Sequence, residues 1–220
     1  SVAGYQTRSG VWAYRAAAAS ARAGDPESTI RWLDAAADRR YSGVRTFETD
    51  TDIDAVRGDP RFGAIIEKVR ANAAARLESF RQAAVEATPI TVKPPGFDAA
   101  EPTPLLIVLH GTGQAGKSMV PTWRRAAARA GAVLVAPDGL RPSGRGYSWT
   151  FRDESEWYVE HLIEQARADF AVGPVILAGF SQGANIALAM GRWHPTLIDA
   201  VIPVCGHWEA KVEAMPDGED

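Results

Sequence analysis

Apolar residues fall into two different spacings along this chain. From residue 9 to residue 86 the sequence is rich in alanine. Its larger apolar residues recur every three or four positions, the spacing of a helix with one buried face. Residues 11–23 and 26–39 read as the first two helices, the second with Ile30, Leu33 and Ala36 or Ala37 on one side. Residues 61–84 read as a third, with Phe62, Ile65, Ile66, Val69, Ala73, Leu77 and Phe80 in one stripe. Beyond residue 88 the pattern changes to short, continuous apolar runs at 90–93, 104–109, 132–136, 174–178 and 200–204. These read as strands, and they alternate with helical stretches near 117–130, 154–169 and 183–193. Such alternation predicts an α/β fold, a parallel sheet covered on both faces. The expected organisation is an all-α region over 1–86 and an α/β region over 87–220, joined near residues 87–89.

Punctuation supports the helical region. Gly24-Asp25-Pro26 stops one helix and starts the next: Gly ends, Asp caps, and Pro takes the first turn. The triplet returns 34 residues later as Gly58-Asp59-Pro60, so Arg57-Gly58-Asp59 reads as a helix start rather than a cell-adhesion signal. A 34-residue period is that of tetratricopeptide repeats. With Ala17, Gly24 and Ala36 at small positions, the region resembles the tail of such an array, which implies a protein partner. Ser20 and Thr29 depart from the pattern, and fewer than two repeats are visible. The alternatives are further repeats before Ser1, helices that pack on the α/β region, or a helical extension with a coincidental spacing.

The chemistry concentrates after two strands. Gly179-Phe180-Ser181-Gln182-Gly183 lies between the 174–178 strand and a helix. Strand, G-x-S-x-G, helix is the nucleophile elbow of a serine hydrolase, in which a strained turn pushes the serine hydroxyl out of the sheet. Leu105–Leu109 runs into His110-Gly111-Thr112-Gly113-Gln114, a Gly-rich loop of the kind that supplies oxyanion-hole donors. Leu-His-Gly-Thr-Gly, Val-Leu-Val-Ala-Pro-Asp-Gly at 133–139 and Gly-Phe-Ser-Gln-Gly resemble, in order and spacing, the phospholipase/carboxylesterase family that includes acyl-protein thioesterases. The resemblance spans roughly residues 88–205. It implies an α/β-hydrolase sheet, Ser181 as acyl-accepting nucleophile, and the backbone N–H groups of Thr112 and Gln182 as the oxyanion hole. It implies a small-molecule ester or thioester substrate, with Gly113, Asp138, Trp149 and His207 as candidate pocket residues. It calls for no cofactor and no metal.

The departure from that family is at the end of the chain. A triad in this order runs Ser, then Asp or Glu, then His. After Ser181 the sequence holds one helix, one strand and a polar tail. The expectation is therefore a sheet incomplete at its C-terminal end, a chain cut before its acid and base, and a poor esterase as it stands. His207 follows the first strand after the serine, the wrong place for the base. His110 is expected to orient the Gly-rich loop, His161 to be structural, and His194 to satisfy helix-end carbonyls. A second functional reading is a helical-repeat scaffold with an inactive hydrolase region. A third comes from Gly111-Thr112-Gly113-Gln114-Ala115-Gly116-Lys117-Ser118, which matches the phosphate-binding pattern G-x-x-x-x-G-K-S. The hydrolase reading is preferred because a P-loop leaves the 179–183 motif unexplained, and Pro137 interrupts the second metal-binding strand.

Composition narrows the setting. Net charge is −3 without a basic block, which gives no footprint for nucleic acid or an anionic membrane. No run of ~18 apolar residues exists, so no membrane span is expected. The single cysteine, Cys205, excludes an internal disulfide, and its place after an apolar strand predicts a buried thiol. With no visible signal peptide, a cytoplasmic setting is the expectation; a chain that begins at Ser1 without methionine is also expected to lack its true N-terminus. Trp12, Trp32, Trp123, Trp157 and Trp193, all on helices, are expected in the core.

Overall fold

Each Gly-Asp-Pro triplet opens a helix. In the computed structural model, which describes residues 8–149 and 152–206, α1 (Arg8–Arg22) ends at Gly24, whose φ is 75°. Asp25 then caps α2 (Pro26–Asp38) by accepting the Ser28 N–H at 3.0 Å. A short α3 (Val44–Thr49) and a 3-10 turn (Thr51–Val56) follow. Their apolar residues are too sparse for a periodic signal, and neither element is foreseen by the sequence reading. Asp59 accepts the Arg61 N–H at 2.8 Å as α4 (Pro60–Glu86) begins.

The chain forms two compact units, Ser1–Ala83 and Ala84–Asp220. In the first, Leu33, Ala36, Phe47, Ile53 and Val69 have no exposed surface. Phe62 and Ile65 of α4 join this core, Ile66 packs at its edge, and Ala73 and Leu77 are half-buried. Tyr14 stacks on Tyr41 with ring centroids 4.8 Å apart and donates its hydroxyl to Asp50 at 2.6 Å. Burial first, and the Asp50 carboxylate second, push the Tyr14 phenol above its ordinary range. Trp12 corrects an expectation: it is 63% exposed, with the Arg15 guanidinium over its ring. α1 meets α2 through small side chains such as Ala13 and Ala17, so the wide indole faces outward. Trp32, Trp123, Trp157 and Trp193 are half-buried rather than core.

In the second unit five strands form one sheet: β1 (Ile90–Val92), β2 (Thr103–Leu109), β3 (Val133–Ala136), β6 (Val172–Phe180) and β7 (Ala200–Val204). Their order is β1-β3-β2-β6-β7, all parallel except β1, which pairs antiparallel with β3. β4 (Arg141–Ser143) and β5 (Gly146–Ser148) make a separate hairpin, not anticipated from sequence. Because side chains alternate along a strand, Leu106, Val108, Leu134, Ala178 and Phe180 share one face. There they pack with Met119 and Trp123 of α5 (Gly116–Arg129). On the other face lie Leu105, Ile107 and Leu177, fully buried. α6 (Arg152–Asp169) and α7 (Gln182–Trp193) pack against β6. α7 lies so close to β7 that a Cβ on Gly191 would meet Val201 Cγ2 at 2.5 Å.

β7 is not the buried strand that its composition suggests. It is the last strand of the sheet among the described residues, and Ile202 and Val204 are 41% and 39% exposed on the α5 side. Cys205, at φ 54°, is likewise exposed rather than a core thiol. The first unit's core makes a direct test possible. Leu33→Ala should cost about 2–5 kcal/mol in urea unfolding, whereas Trp12→Ala should stay within about 0.5 kcal/mol.

Candidate active site at the Ser181 turn

Ser181 stands between the end of β6 and the start of α7 with φ 50° and ψ −115°, a backbone conformation that L-residues seldom adopt. Two absences of Cβ permit the turn. A Cβ on Gly179 would lie 2.2 Å from the Gly183 oxygen, and one on Gly183 would lie 2.4 Å from the Leu109 oxygen. Three backbone bonds hold the conformation: Ser181 N–H donates to Val204 O at 2.9 Å, and Ala184 and Asn185 N–H donate to Ser181 O. Strain of this kind costs about 1–3 kcal/mol and persists only when surroundings impose it. Among the described residues Ser181 Oγ has no hydrogen-bond partner.

The β2–α5 loop runs beside this turn. A Cβ on Gly111 would come within 3.3 Å of Ser181 Cβ. Gly111 N–H donates to the Gln114 side-chain oxygen at 2.9 Å, and Gln114 N–H to Gly111 O at 3.1 Å. The hairpin then grips the loop from outside: Gly113 N–H donates to Tyr147 O, and Tyr147 N–H to Gln114 O, each at 2.7 Å. The N–H groups of Thr112 and Gln182 are left with no acceptor among the described residues. The two residues are neighbours, since Thr112 Oγ1 donates to Gln182 Oε1 at 3.0 Å.

Gln182 does more than the sequence suggests. Its Oε1 also accepts Trp149 N–H at 3.0 Å, and its Nε2 donates to Trp149 O at 3.1 Å. One amide side chain thus pairs with a backbone peptide as a strand would. Trp149, a candidate pocket residue, is 3% exposed, and its indole N–H donates to His110 O at 2.8 Å. Its ring is part of the packing beneath the loop. Asp138, another candidate, accepts Gly116 N–H at 2.6 Å and so satisfies the start of α5. Gly113, exposed at φ 75°, provides the left-handed turn that brings the loop to the hairpin. His207 lies outside the described residues.

His110 is the loop's inner anchor. It is fully buried; Nδ1 lies 2.7 Å from Gly111 O, and Nε2 accepts Gly139 N–H at 2.8 Å. These two partners require the neutral ring protonated on Nδ1. Burial holds its pKa below the ordinary 6.5. Both nitrogens are therefore committed. His194 lies one α7 length from Ser181, roughly 18 Å at 1.5 Å per residue. Its ring nitrogens face Glu156 and Glu160 at 3.2 and 3.1 Å. His161 stacks on Trp157 at 5.2 Å. None of these three is paired with Ser181 Oγ.

The same bonds dispose of the phosphate-cradle reading. In a P-loop the backbone N–H groups point at phosphate. Here those of Gly111, Gly113, Gln114, Gly116 and Ser118 all donate within the protein. Ser118 Oγ donates to Ala115 O at 2.6 Å. Among the described residues no group of three or more His, Cys, Asp or Glu side chains is arranged to hold a metal ion.

The model of the alpha/beta hydrolase fold family matches residues 104–217, just over half of the chain, which therefore belongs to that family. Similar solved structures include esterase PE8, 23% identical over 58% of this chain and 68% of that one, with a TM-score of 0.48. A protein from Bacillus cereus with no assigned role is 18% identical over 96% of this chain and 66% of its own, at 0.46. A phospholipase/carboxylesterase from Dyadobacter fermentans is 14% identical over 57% and 65%, at 0.44. The chain spans about two thirds of the length of each. No curated protein matches it.

Two expectations follow from the site. Mg-ATP should show no micromolar binding by calorimetry, because the donors it needs are taken. The second concerns pH. Above pH 6.5 His110 is neutral whether the chain is folded or not. Below it the unfolded chain gains a proton that the folded chain resists, so stability falls with falling pH until the depressed folded pKa is passed. Melting temperatures from pH 8 to pH 5 should fall more steeply for the native chain than for His110→Gln, which lacks that proton site. Equal slopes would remove His110 from the account.

Proposed function

We propose that this chain carries the nucleophile and oxyanion hole of a serine hydrolase that cleaves a small carboxylic ester or thioester. The observation that supports this most is the strained Ser181 turn, with its unpaired hydroxyl beside two backbone N–H groups that have no acceptor. Ser181 Oγ adds to the substrate carbonyl carbon. The oxygen that becomes anionic takes hydrogen bonds from Thr112 and Gln182 N–H, worth ~100- to 1,000-fold in rate for each donor. Collapse of that intermediate expels the alcohol or thiol and leaves an acyl-serine, which water then hydrolyses. A general base is needed to take the serine proton, and none of the described histidines is paired with Ser181. The elbow and the oxyanion hole fit the finer family reading, that of the phospholipase/carboxylesterases.

The helical region over 1–86 fits a tetratricopeptide-like module, placed to hold a protein partner. Its α2 and α4 start alike and are joined by the ion pairs Arg61–Glu27 and Lys68–Asp34, each spanning 34 residues. A second reading, a scaffold with a silent hydrolase unit, is favoured by the other partners held by His110, His161 and His194, which leave Ser181 without a base among the described residues.

A fluorophosphonate probe separates the two. The expected result is labelling confined to Ser181 and lost in Ser181→Ala, with little further fall in the turnover of a p-nitrophenyl ester, because nucleophile and base act as a unit. Because no base is in reach among the described residues, that turnover should itself be slow. Absence of labelling in the native chain would favour the scaffold.

A further inference from the structure

The cations of this chain are disposed in two ways. In the helical unit Arg22, Arg57, Arg61, Lys68 and Arg70 each hold a carboxylate. From Thr103 to Trp149 the sequence carries six cations and a single acid, Asp138. That acid is taken by Gly116 N–H, and no carboxylate among the described residues pairs with any of the six. Four of them stand on α5. Lys117, Arg124, Arg125 and Arg129 are all exposed, while Met119, Trp123 and Ala127 turn the opposite side of the helix to the sheet. Two placements work against the helix itself. Lys117 lies in the first turn, where the dipole favours negative charge, and Arg125 and Arg129 are like charges one turn apart. Arg141 and Arg145 lie on the β4–β5 hairpin, which grips the Gly111–Gln114 loop where that loop enters α5. The basic face begins at this loop and runs roughly 20 Å along α5, at 1.5 Å per residue. The net charge of −3 conceals it, in part because α6, which meets the opposite sheet face at Val135, carries five carboxylates from Glu154 to Asp169.

We infer that the α5 face and its hairpin are a docking surface for an anionic lipid bilayer, on which the protein lies without crossing it. Charge complementarity selects the sign of the occupant. The form of the face selects its class. A helix surface is convex, and the exposed side chains between the α5 cations are Ser118, Pro121, Thr122 and alanines. The α5 face offers no exposed aromatic ring to stack on a base and no amide to read a base edge. A plane of lipid phosphates asks for neither. Among the described residues no helix is long and apolar enough to cross a membrane. Adsorption is therefore by charge, and the acidic α6 side turns away from the bilayer. Clusters of four to eight cations hold a protein to such a surface, each strengthening binding about fivefold.

Cosedimentation with vesicles tests this. The whole chain should bind vesicles of equal parts phosphatidylcholine and phosphatidylglycerol, and stay in solution with pure phosphatidylcholine. Binding should weaken steeply as salt rises from ~0.01 M to ~0.15 M, which shortens the screening length from about 30 Å to about 8 Å. Arg124→Gln/Arg125→Gln should bind ~25-fold more weakly, two cations at about fivefold each. Arg124→Lys/Arg125→Lys should bind as the native chain does, because a bilayer reads charge rather than the shape of a guanidinium. Arg40→Gln/Arg45→Gln makes the same change of net charge in the helical unit and should leave binding unchanged. Circular dichroism and the urea midpoint check the fold of each variant. Ser181→Ala should bind like the native chain, so the outcome is independent of the serine-hydrolase reading. Absence of binding, equal binding to both vesicles, indifference to salt, or no loss in Arg124→Gln/Arg125→Gln would overturn the proposal. So would retention by duplex DNA or polyglutamate without vesicle binding, which gives the face to another polyanion.

Discussion

Two carbonyl oxygens stand where side chains would ordinarily be. The Gly183 oxygen occupies the space of a Cβ on Gly179, and the Leu109 oxygen that of a Cβ on Gly183. This contact lets β6, the head of α7 and the end of β2 converge at one point. The convergence forces Ser181 to a positive φ, and among the described residues its hydroxyl has no partner. A methyl group at either glycine would separate strand from helix by more than the sheet can absorb, since packed interiors yield little. The loops around Ser181 are arranged about this point.

Neutral hydrogen bonds hold the loops, with the Asp138 carboxylate on Gly116 N–H as the exception. His110 through Nε2, the Gln182 amide and the Tyr147 backbone each join one loop to another, and the Gln114 amide closes the Gly-rich loop on itself. Bonds of this type are strong when water is excluded and costly when broken, because the freed partner stays buried. The Gly-rich loop has few alternatives to its observed shape. The N–H groups of Thr112 and Gln182 have no acceptor among the described residues, and the side chains of the two residues hold them together. An oxyanion site differs from a phosphate cradle in this respect: it needs two donors aimed at one atom, not a ring of five around a group.

The sheet strands, the long helices and the two Gly-Asp-Pro starts were legible because each follows a period or a cap that acts locally. The 104–109 and 174–180 strands are apolar on both faces and admit few other readings. The β4–β5 hairpin was not legible by period, though Gly144 and Gly146 around Arg145 mark a turn that could have been read. β7 misled because apolar composition reports what a strand can bury, not whether anything covers it; Ile202 and Cys205 are exposed for want of a covering neighbour among the described residues. Trp149 misled in the opposite sense. An aromatic in a glycine-rich loop suggested a pocket wall, while its indole N–H and its peptide both serve the loop's own bonding. The pairing of Gln182 with that peptide depends on three segments distant in sequence, which no local pattern records.

That pairing makes Gln182 a point of chemical ageing. Its oxygen receives two donors, Thr112 Oγ1 and Trp149 N–H, while its nitrogen gives a proton to the Trp149 oxygen. Hydrolysis of the amide would release ammonia and put an oxygen in place of the nitrogen, setting a carboxylate oxygen against the Trp149 carbonyl oxygen. The molecule would keep its core, its helices and its serine, yet the Trp149 peptide would lose its partner at the turn. Stored protein would then change one molecule at a time, with a mass change at one glutamine as the mark of each event.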